Sequence, residues 1–264
     1  MSGGCISEVH RLELDDGRAC VAKCGPRNRL DGEADGLEAL SAPGAVRVPL
    51  VLGLAGTGEA GVLLLEALDP GGDPDWAGFG RALAALHEAP AGERYGFDRD
   101  NHLGASPQPN GWLDDWVTFN RTRRHGPLVE RLEQGGLLVG AALDTVRRAL
   151  DAFEQAIPKR PKPSLLHGDL WSGNALPLAD GEVAVIDPAV SIGDGLADIA
   201  MMQLFGGFPG ACFDAYRAER SIGFEPRALA VYRLHHLLNH MVLFGAGYRD
   251  GVLAECRIVL GHHA

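Results

Sequence analysis

The chain has 264 residues, 46% hydrophobic and 22% charged, with 36 glycines and 16 prolines, a balance that excludes a disordered or fibrous protein and fits a globular one. Its 24 Lys and Arg stand against 35 Asp and Glu, a formal net charge of -11; the basic footprint of a nucleic-acid binder is missing, and a cationic partner is easier to recruit than an anionic one. The longest uncharged stretch, Ile199 to Phe213, is interrupted by Gln203, Gly206, Gly207 and Pro209, so no membrane-spanning helix is expected, and the first residues lack the basic and apolar regions of a signal peptide. A cytoplasmic protein with no membrane partner is expected, its oligomeric state left open.

Along the chain, Gly3-Gly4-Cys5-Ile6-Ser7 reads as a loop, followed by a hairpin: a strand over Val9 to Leu14, a turn at Asp15-Asp16-Gly17 and a return strand from Arg18 to Cys24. Cys20 and Cys24 share a face of that strand with Ala22 and are expected to pack. A helix is expected from Asp31 to about Leu40, where Ala34, Leu37 and Leu40 recur at helical spacing, then strands at Val46 to Leu54 and Gly61 to Glu66. The run Asp69-Pro70-Gly71-Gly72-Asp73-Pro74 punctuates the chain as a hinge, dividing a first unit of residues 1–68 from a mainly helical second one of residues 69–264. There, helical periods run through Phe79 to His87, Leu143 to Ile157 and Leu229 to Phe244, interrupted by a second hairpin of Ala175 to Leu178 and Val183 to Ile186 around Ala179-Asp180-Gly181. The five scattered cysteines argue for reduced thiols in place of a disulfide framework.

The chemistry concentrates around that second hairpin. With the turn centred on Asp180-Gly181, pairing puts Asn174 opposite Asp187, so an amide oxygen and a carboxylate meet at one end, a donor set suited to Mg²⁺. Asp169 lies five residues before Asn174, between Gly168 and Gly173, placed to accept the proton of an attacking hydroxyl. Phosphoryl transfer asks chiefly for positioning and charge neutralisation, and this trio offers both; each member alone is an ordinary turn residue. His167 is expected to orient the loop. Lys23 ends the return strand of the first hairpin, and Glu33 lies on the apolar face of the following helix, where a carboxylate requires a partner; the two are expected to pair, with Glu38 facing solvent. The backbone amides at Gly3 and Gly4 could then cover phosphates, and the hinge backbone at Leu64 to Leu68 could meet adenine, which brings in Glu66 and Leu68. Cys5, in the amide-rich loop, is a candidate redox switch.

These residues resemble a known family. LLHGDLWSGN, followed by IDPA and LFGGFP, is similar to the fructosamine kinases (ketosamine 3-kinases), relatives of the aminoglycoside phosphotransferases, and GGCIS, GEADGLEAL, RVP, QPNGWLDDW, LLNH and FGAGY extend the likeness over most of the chain. The resemblance implies an α+β, two-lobed protein-kinase-like fold, with a small antiparallel-sheet N-lobe and a mainly helical C-lobe. It also implies ATP- and Mg²⁺-dependent phosphorylation of the sugar 3-hydroxyl of a small-molecule or protein-bound ketosamine. In that frame Asp169 is the catalytic base, Asn174 and Asp187 the metal ligands, Lys23 the phosphate-binding lysine and Glu33 its partner. Trp171 in the catalytic loop becomes a candidate substrate contact, as does Trp112, with Asp114 and Asp115 as amine partners. Trp112, Trp116 and Phe119 have the spacing of one helical face, which also suits a core stripe. His236 and His240 are four residues apart, but no acidic residue stands between them in the metalloprotease position. Family members carry a further helix and strand before the glycine-rich loop, where this chain begins, so a nucleotide lid with one arm is expected. The remaining alternatives are a kinase for another hydroxyl, on an aminoglycoside or amino alcohol, and an inactive nucleotide-binding module.

Overall fold

The computed structural model describes residues 8–262. Strands β1 (Glu8–Glu13) and β2 (Ala19–Pro26) pair antiparallel, and Gly17, at φ +84°, supplies the left-handed turn between them. Helix α1 (Arg27–Ser41) follows at once. It starts four residues before the expected Asp31: Leu30, buried and four residues before Ala34, carries the apolar face one turn further, Pro26 ends the strand, and the Arg27–Asp31 ion pair (2.7 Å) ties the first turn one step along the helix. Glu38 is exposed, as the helical period requires. Strand β3 (Val51–Thr57) begins later than the expected Val46, since Pro49 has no N–H for a ladder; instead the Arg47 carbonyl accepts from Val185 N (2.8 Å). Strand β4 (Ala60–Glu66) completes a sheet of order β1-β2-β4-β3.

The following segment is stitched to the second hairpin through Gly71 N to Pro177 O (3.0 Å), Ala179 N to Asp69 O (3.0 Å) and Asp75 N to Gly181 O (2.9 Å). Asp75 caps helix α2 (Trp76–Glu88) by accepting from Gly78 N. Then come β5 (Asn101–Leu103), β6 (Ser106–Gln108), the short α3 (Trp116–Phe119), a π-helical turn over Asn120–His125, α4 (Gly126–Gln134) and α5 (Gly140–Asp151). Trp112 lies outside α3, contrary to the helical stripe expected of it. Asp115 is the N-cap, accepting from Thr118 N (2.7 Å), so the helix starts at Trp116. Trp116 stacks on Phe119 with ring centroids 5.2 Å apart, and both are buried; rings of this size contribute most to a core per residue.

Strands β7 (Pro163–Leu166), β8 (Ala175–Pro177), β9 (Val183–Val185) and β10 (Ser191–Asp194) form two small two-stranded sheets, β7 with β10 and β8 with β9. Helices α6 (Leu196–Leu204), α7 (Gly210–Arg220), α8 (Pro226–Phe244) and α9 (Arg249–Val259) complete the helical part. Helix α8 is buried along most of its length and packs against α4, α6 and α9. Among the described residues no helix is long and apolar enough to cross a membrane.

Candidate active site

The loop between β7 and β8 is held from beneath by one carboxylate. Asp198, in the first turn of α6 and 1% exposed, accepts from His167 N (2.7 Å) and Gly168 N (2.9 Å) and is bonded to His87 Nε2 (3.2 Å). Burial alone would raise its pKa, but the His87 imidazole and these donors outweigh burial and keep it below the usual carboxylate range. Gly168, at φ +81°, passes so near Ala189 that a Cβ would sit 2.0 Å from its carbonyl oxygen, so only glycine fits. Sequence reasoning did not single out Asp198 or His87. The signal was there: a carboxylate between Ala197 and Ile199, and an imidazole that follows Leu86 and lies four residues after Leu83, on the apolar face of its helix.

His167 bonds the Ile186 carbonyl through Nε2 (2.9 Å), and its Nδ1 accepts from Asp169 N (3.2 Å); this pattern assigns the proton to Nε2. Burial lowers its pKa and keeps the ring neutral. The ring therefore ties the Asp169 backbone to the segment leading into Asp187. Asn174 Nδ2 donates to the Asp169 carbonyl (2.8 Å) and lies 3.4 Å from its carboxylate, which turns Nδ2 inward and leaves the amide oxygen Oδ1 for another partner. Burial, followed by the charges of Asp187 and Asp198, pushes Asp169 up to about 7.

The second hairpin corrects one expectation. Its ladder runs Ala175 to Val185 and Pro177 to Val183, which sets Ile186, not Asp187, opposite Asn174, with Ile186 N on Asn174 O (3.0 Å). The turn holds three residues, 179–181, with Gly181 at φ +90° and Leu178 N bonded to Glu182 O (2.9 Å); its centre is therefore Asp180 and not the Asp180-Gly181 step that was expected. Asp187 enters the site another way, by leaving the ladder in a left-handed conformation (φ +56°). Such strain in a non-glycine residue persists only where the surroundings enforce it, as at functional sites. Its carboxylate meets Lys23 Nζ, which also pairs with Glu33 at 2.5 Å. Lys23 is 8% exposed; burial works against its charge, but Glu33 and Asp187 outweigh that and raise its pKa. The first hairpin, α1 and the second hairpin thus converge on one ammonium.

The other expected site residues are more dispersed. Trp171 is 41% exposed, its ring over Gly173, where a Cβ would lie 2.2 Å from it. Trp112 donates from Nε1 to Asp98 (3.0 Å), Asp114 pairs with Arg94 (2.8 Å), and Asp115 caps α3. Glu66 is engaged by Arg47, and its second oxygen accepts from Leu50 N (3.1 Å) while its own N–H goes to Leu50 O (2.9 Å); its side chain is thus committed within the sheet unit. Leu68 is half-buried past the end of β4. Gly3, Gly4 and Cys5 lie outside the described residues. Among the described residues, no group of three or more His, Cys, Asp or Glu side chains is arranged to hold a metal ion, and the oxygen donors of Asn174 and Asp187 fit a hard cation that fills the rest of its shell from phosphate and water.

A family model described as fructosamine kinase matches residues 1–259. The chain belongs to the fructosamine kinase family. A probable ketoamine kinase of Synechocystis sp. is 37% identical, over 95% of this chain and 85% of that protein. A chloroplastic protein-ribulosamine 3-kinase of Oryza sativa subsp. indica is 35% identical, over 96% of this chain and 76% of that one. The crystal structure of a Thermobifida fusca protein to which fructosamine-3-kinase activity is ascribed superposes with a TM-score of 0.89 at 31% identity, covering 99% of this chain and 92% of its own. The fold is accordingly the two-lobed, kinase-like α+β fold, and a fructosamine kinase family member of this fold uses ATP.

Proposed function

We propose that this fructosamine kinase family member transfers the γ-phosphoryl group of ATP to the 3-hydroxyl of the sugar moiety of a ketosamine, free or protein-bound. The observation that carries the reading is geometric: the Asp169 loop is held by His167 and Asn174, and Asp187, which the same His167 ring ties to that loop through the Ile186 carbonyl, meets the buried Lys23–Glu33 pair. Asp169 takes the hydroxyl proton as the sugar oxygen attacks the γ-phosphorus; the bond from that phosphorus to the bridging oxygen breaks, and ADP leaves with the electron pair. Lys23, steadied by Glu33, places a fixed positive charge at the phosphates. Asn174 and Asp187 would hold Mg²⁺. When bound, this ion supplies further neutralisation of phosphate charge. Trp171, exposed at the loop, offers an aromatic face to the acceptor, and a protonated amine suits both such a face and the acidic balance of the chain. A cytoplasmic setting, supplied with ATP, suits the reaction.

ATP consumption by the purified protein with Mg²⁺, across ketosamines, aminoglycosides and amino alcohols, tests the reading. Turnover confined to ketosamines, abolished in Asp169→Asn with ATP binding retained, is expected. Turnover with another acceptor class alone would overturn the substrate, and full activity in Asp169→Asn would overturn the base.

A further inference from the structure

The QPN segment of the sequence has no part in the site described so far, yet its side chains are among the most buried polar groups of the molecule. Asn101 is 4% exposed, Gln108 5% and Asn110 0%. The Asn101 oxygen Oδ1 accepts from both Gln108 Nε2 and Asn110 Nδ2 (2.9 Å each). Its own Nδ2 donates to the Val190 carbonyl (2.9 Å), and Gln108 Nε2 reaches the Ala189 carbonyl (3.1 Å). Arg124 in turn donates to Asn110 Oδ1 (2.6 Å). The amides therefore grip two successive carbonyls of the chain that leaves Asp187 by way of Pro188.

The same asparagine touches the opposite side of the ion-pair system. At Gly32 a Cβ would stand 3.0 Å from Asn101 Cβ, and at Gly36 one would stand 3.0 Å from Pro188 Cγ and 3.3 Å from Val190 Cγ1. Helix α1 thus lies directly on Asn101 and on the gripped segment through two glycine positions, and Glu33 is the residue after Gly32. An apolar filler could occupy this space at similar stability, but it would not fix the position of the 189–190 backbone, which directional hydrogen bonds do.

We propose that Asn101, held by Gln108 and Asn110, is a positioning residue for phosphoryl transfer: it sets the spacing between α1 and the chain leaving Asp187, and with it the contacts that Glu33 and Asp187 make to Lys23. The proposal rests on the kinase reading above. Asn101 touches neither nucleotide nor acceptor; it acts through Glu33 and Asp187. A positioning role of this kind makes its effect depend on the presence of Glu33, whereas a purely structural role adds independently.

The experiment is a double-mutant cycle on ATP affinity, by calorimetric titration with MgATP, using wild type, Asn101→Ala, Glu33→Gln and the double variant, each checked for native circular dichroism. Asn101→Ala is expected to weaken ATP about fivefold in the wild-type background and less than about twofold in the Glu33→Gln background. Equal weakening in both backgrounds, or no weakening in the wild-type background, would overturn the proposal. If Asn101→Ala does not fold, Gln108→Met, which keeps the volume and removes the donors to Asn101 and Ala189, takes its place with the same criteria. The titration needs no acceptor. A failed ketosamine assay with an intact cycle therefore removes only the substrate class, and a wild-type protein that binds no ATP removes the kinase reading and this proposal with it.

Discussion

Asp198 shows how one side chain governs a loop that it does not belong to. Its two oxygens accept from the amides of His167 and Gly168, the residues immediately before Asp169, so the proposed base inherits its position from a helix more than twenty residues later in the chain. In Asp198→Asn an amide NH₂ replaces one of those acceptors and faces a backbone donor, leaving buried donors unsatisfied at a cost of about 1–3 kcal/mol. The expected outcome is a fall in kcat of about 10- to 100-fold, with KM for ATP changed far less, since Lys23 and Glu33 are untouched; steady-state kinetics checks it. The residues of the proposed site were singled out because Asp169, Asn174 and Asp187 occur in fixed order around a hairpin. Asp198 and His87 were not, because a buried polar residue announces itself only against its apolar neighbours, and its partner is chosen by tertiary packing. Trp112 misled for a related reason: helical spacing says nothing of where a helix starts, and the cap at Asp115 moved that start past it.

At the scale of elements, the first hairpin, α1 and the Lys23–Glu33 pair all follow from strand alternation, a glycine turn and an apolar face that carries one carboxylate. Their edges do not. Helix α1 begins earlier than expected because Leu30 extends its apolar face by one turn and the Arg27–Asp31 pair supports that turn, and β3 begins later because Pro49 cannot join a ladder. The second hairpin is the more instructive case. Its two strands were legible, yet the register was off by one residue, because the turn centres on Asp180 and not on the Asp180-Gly181 step. In a regular strand such a slip exchanges inward and outward side chains. Here the left-handed backbone of Asp187 takes it out of the ladder, and its carboxylate meets Lys23 although it is not the residue opposite Asn174.

Across the whole molecule, the helical part is built around buried histidines that must stay neutral. Burial lowers His125 to about 4 and His236 to about 3. His125 bonds the Asn120 and Val231 carbonyls (3.0 Å each), and His236 lies on α8. Both folded-state values are below the unfolded value of 6.5, so the unfolded chain takes up protons first as pH falls. Stability is therefore full above the unfolded value and is lost progressively on descending toward the folded one. For His125 the shift amounts to roughly 3 kcal/mol across that window. Urea unfolding is expected to show a midpoint that falls clearly between about pH 7 and about pH 5, before most carboxylates titrate, and His125→Gln is expected to flatten that fall. An unchanged slope in the variant would contradict the assignment.

The same architecture brings three carboxylates, Asp169, Asp187 and Asp198, around a loop that carries the exposed Trp171, and the central claim is that this arrangement phosphorylates the 3-hydroxyl of a ketosamine. The most direct measurement is the position of phosphate in the product, by phosphorus- and carbon-resolved NMR after incubation of the protein with MgATP and fructosyl-lysine. The account predicts a single phosphomonoester coupled to carbon 3 of the sugar, absent with Asp169→Asn. Phosphate at any other carbon, or ATP consumed only when an aminoglycoside replaces the ketosamine, would contradict it.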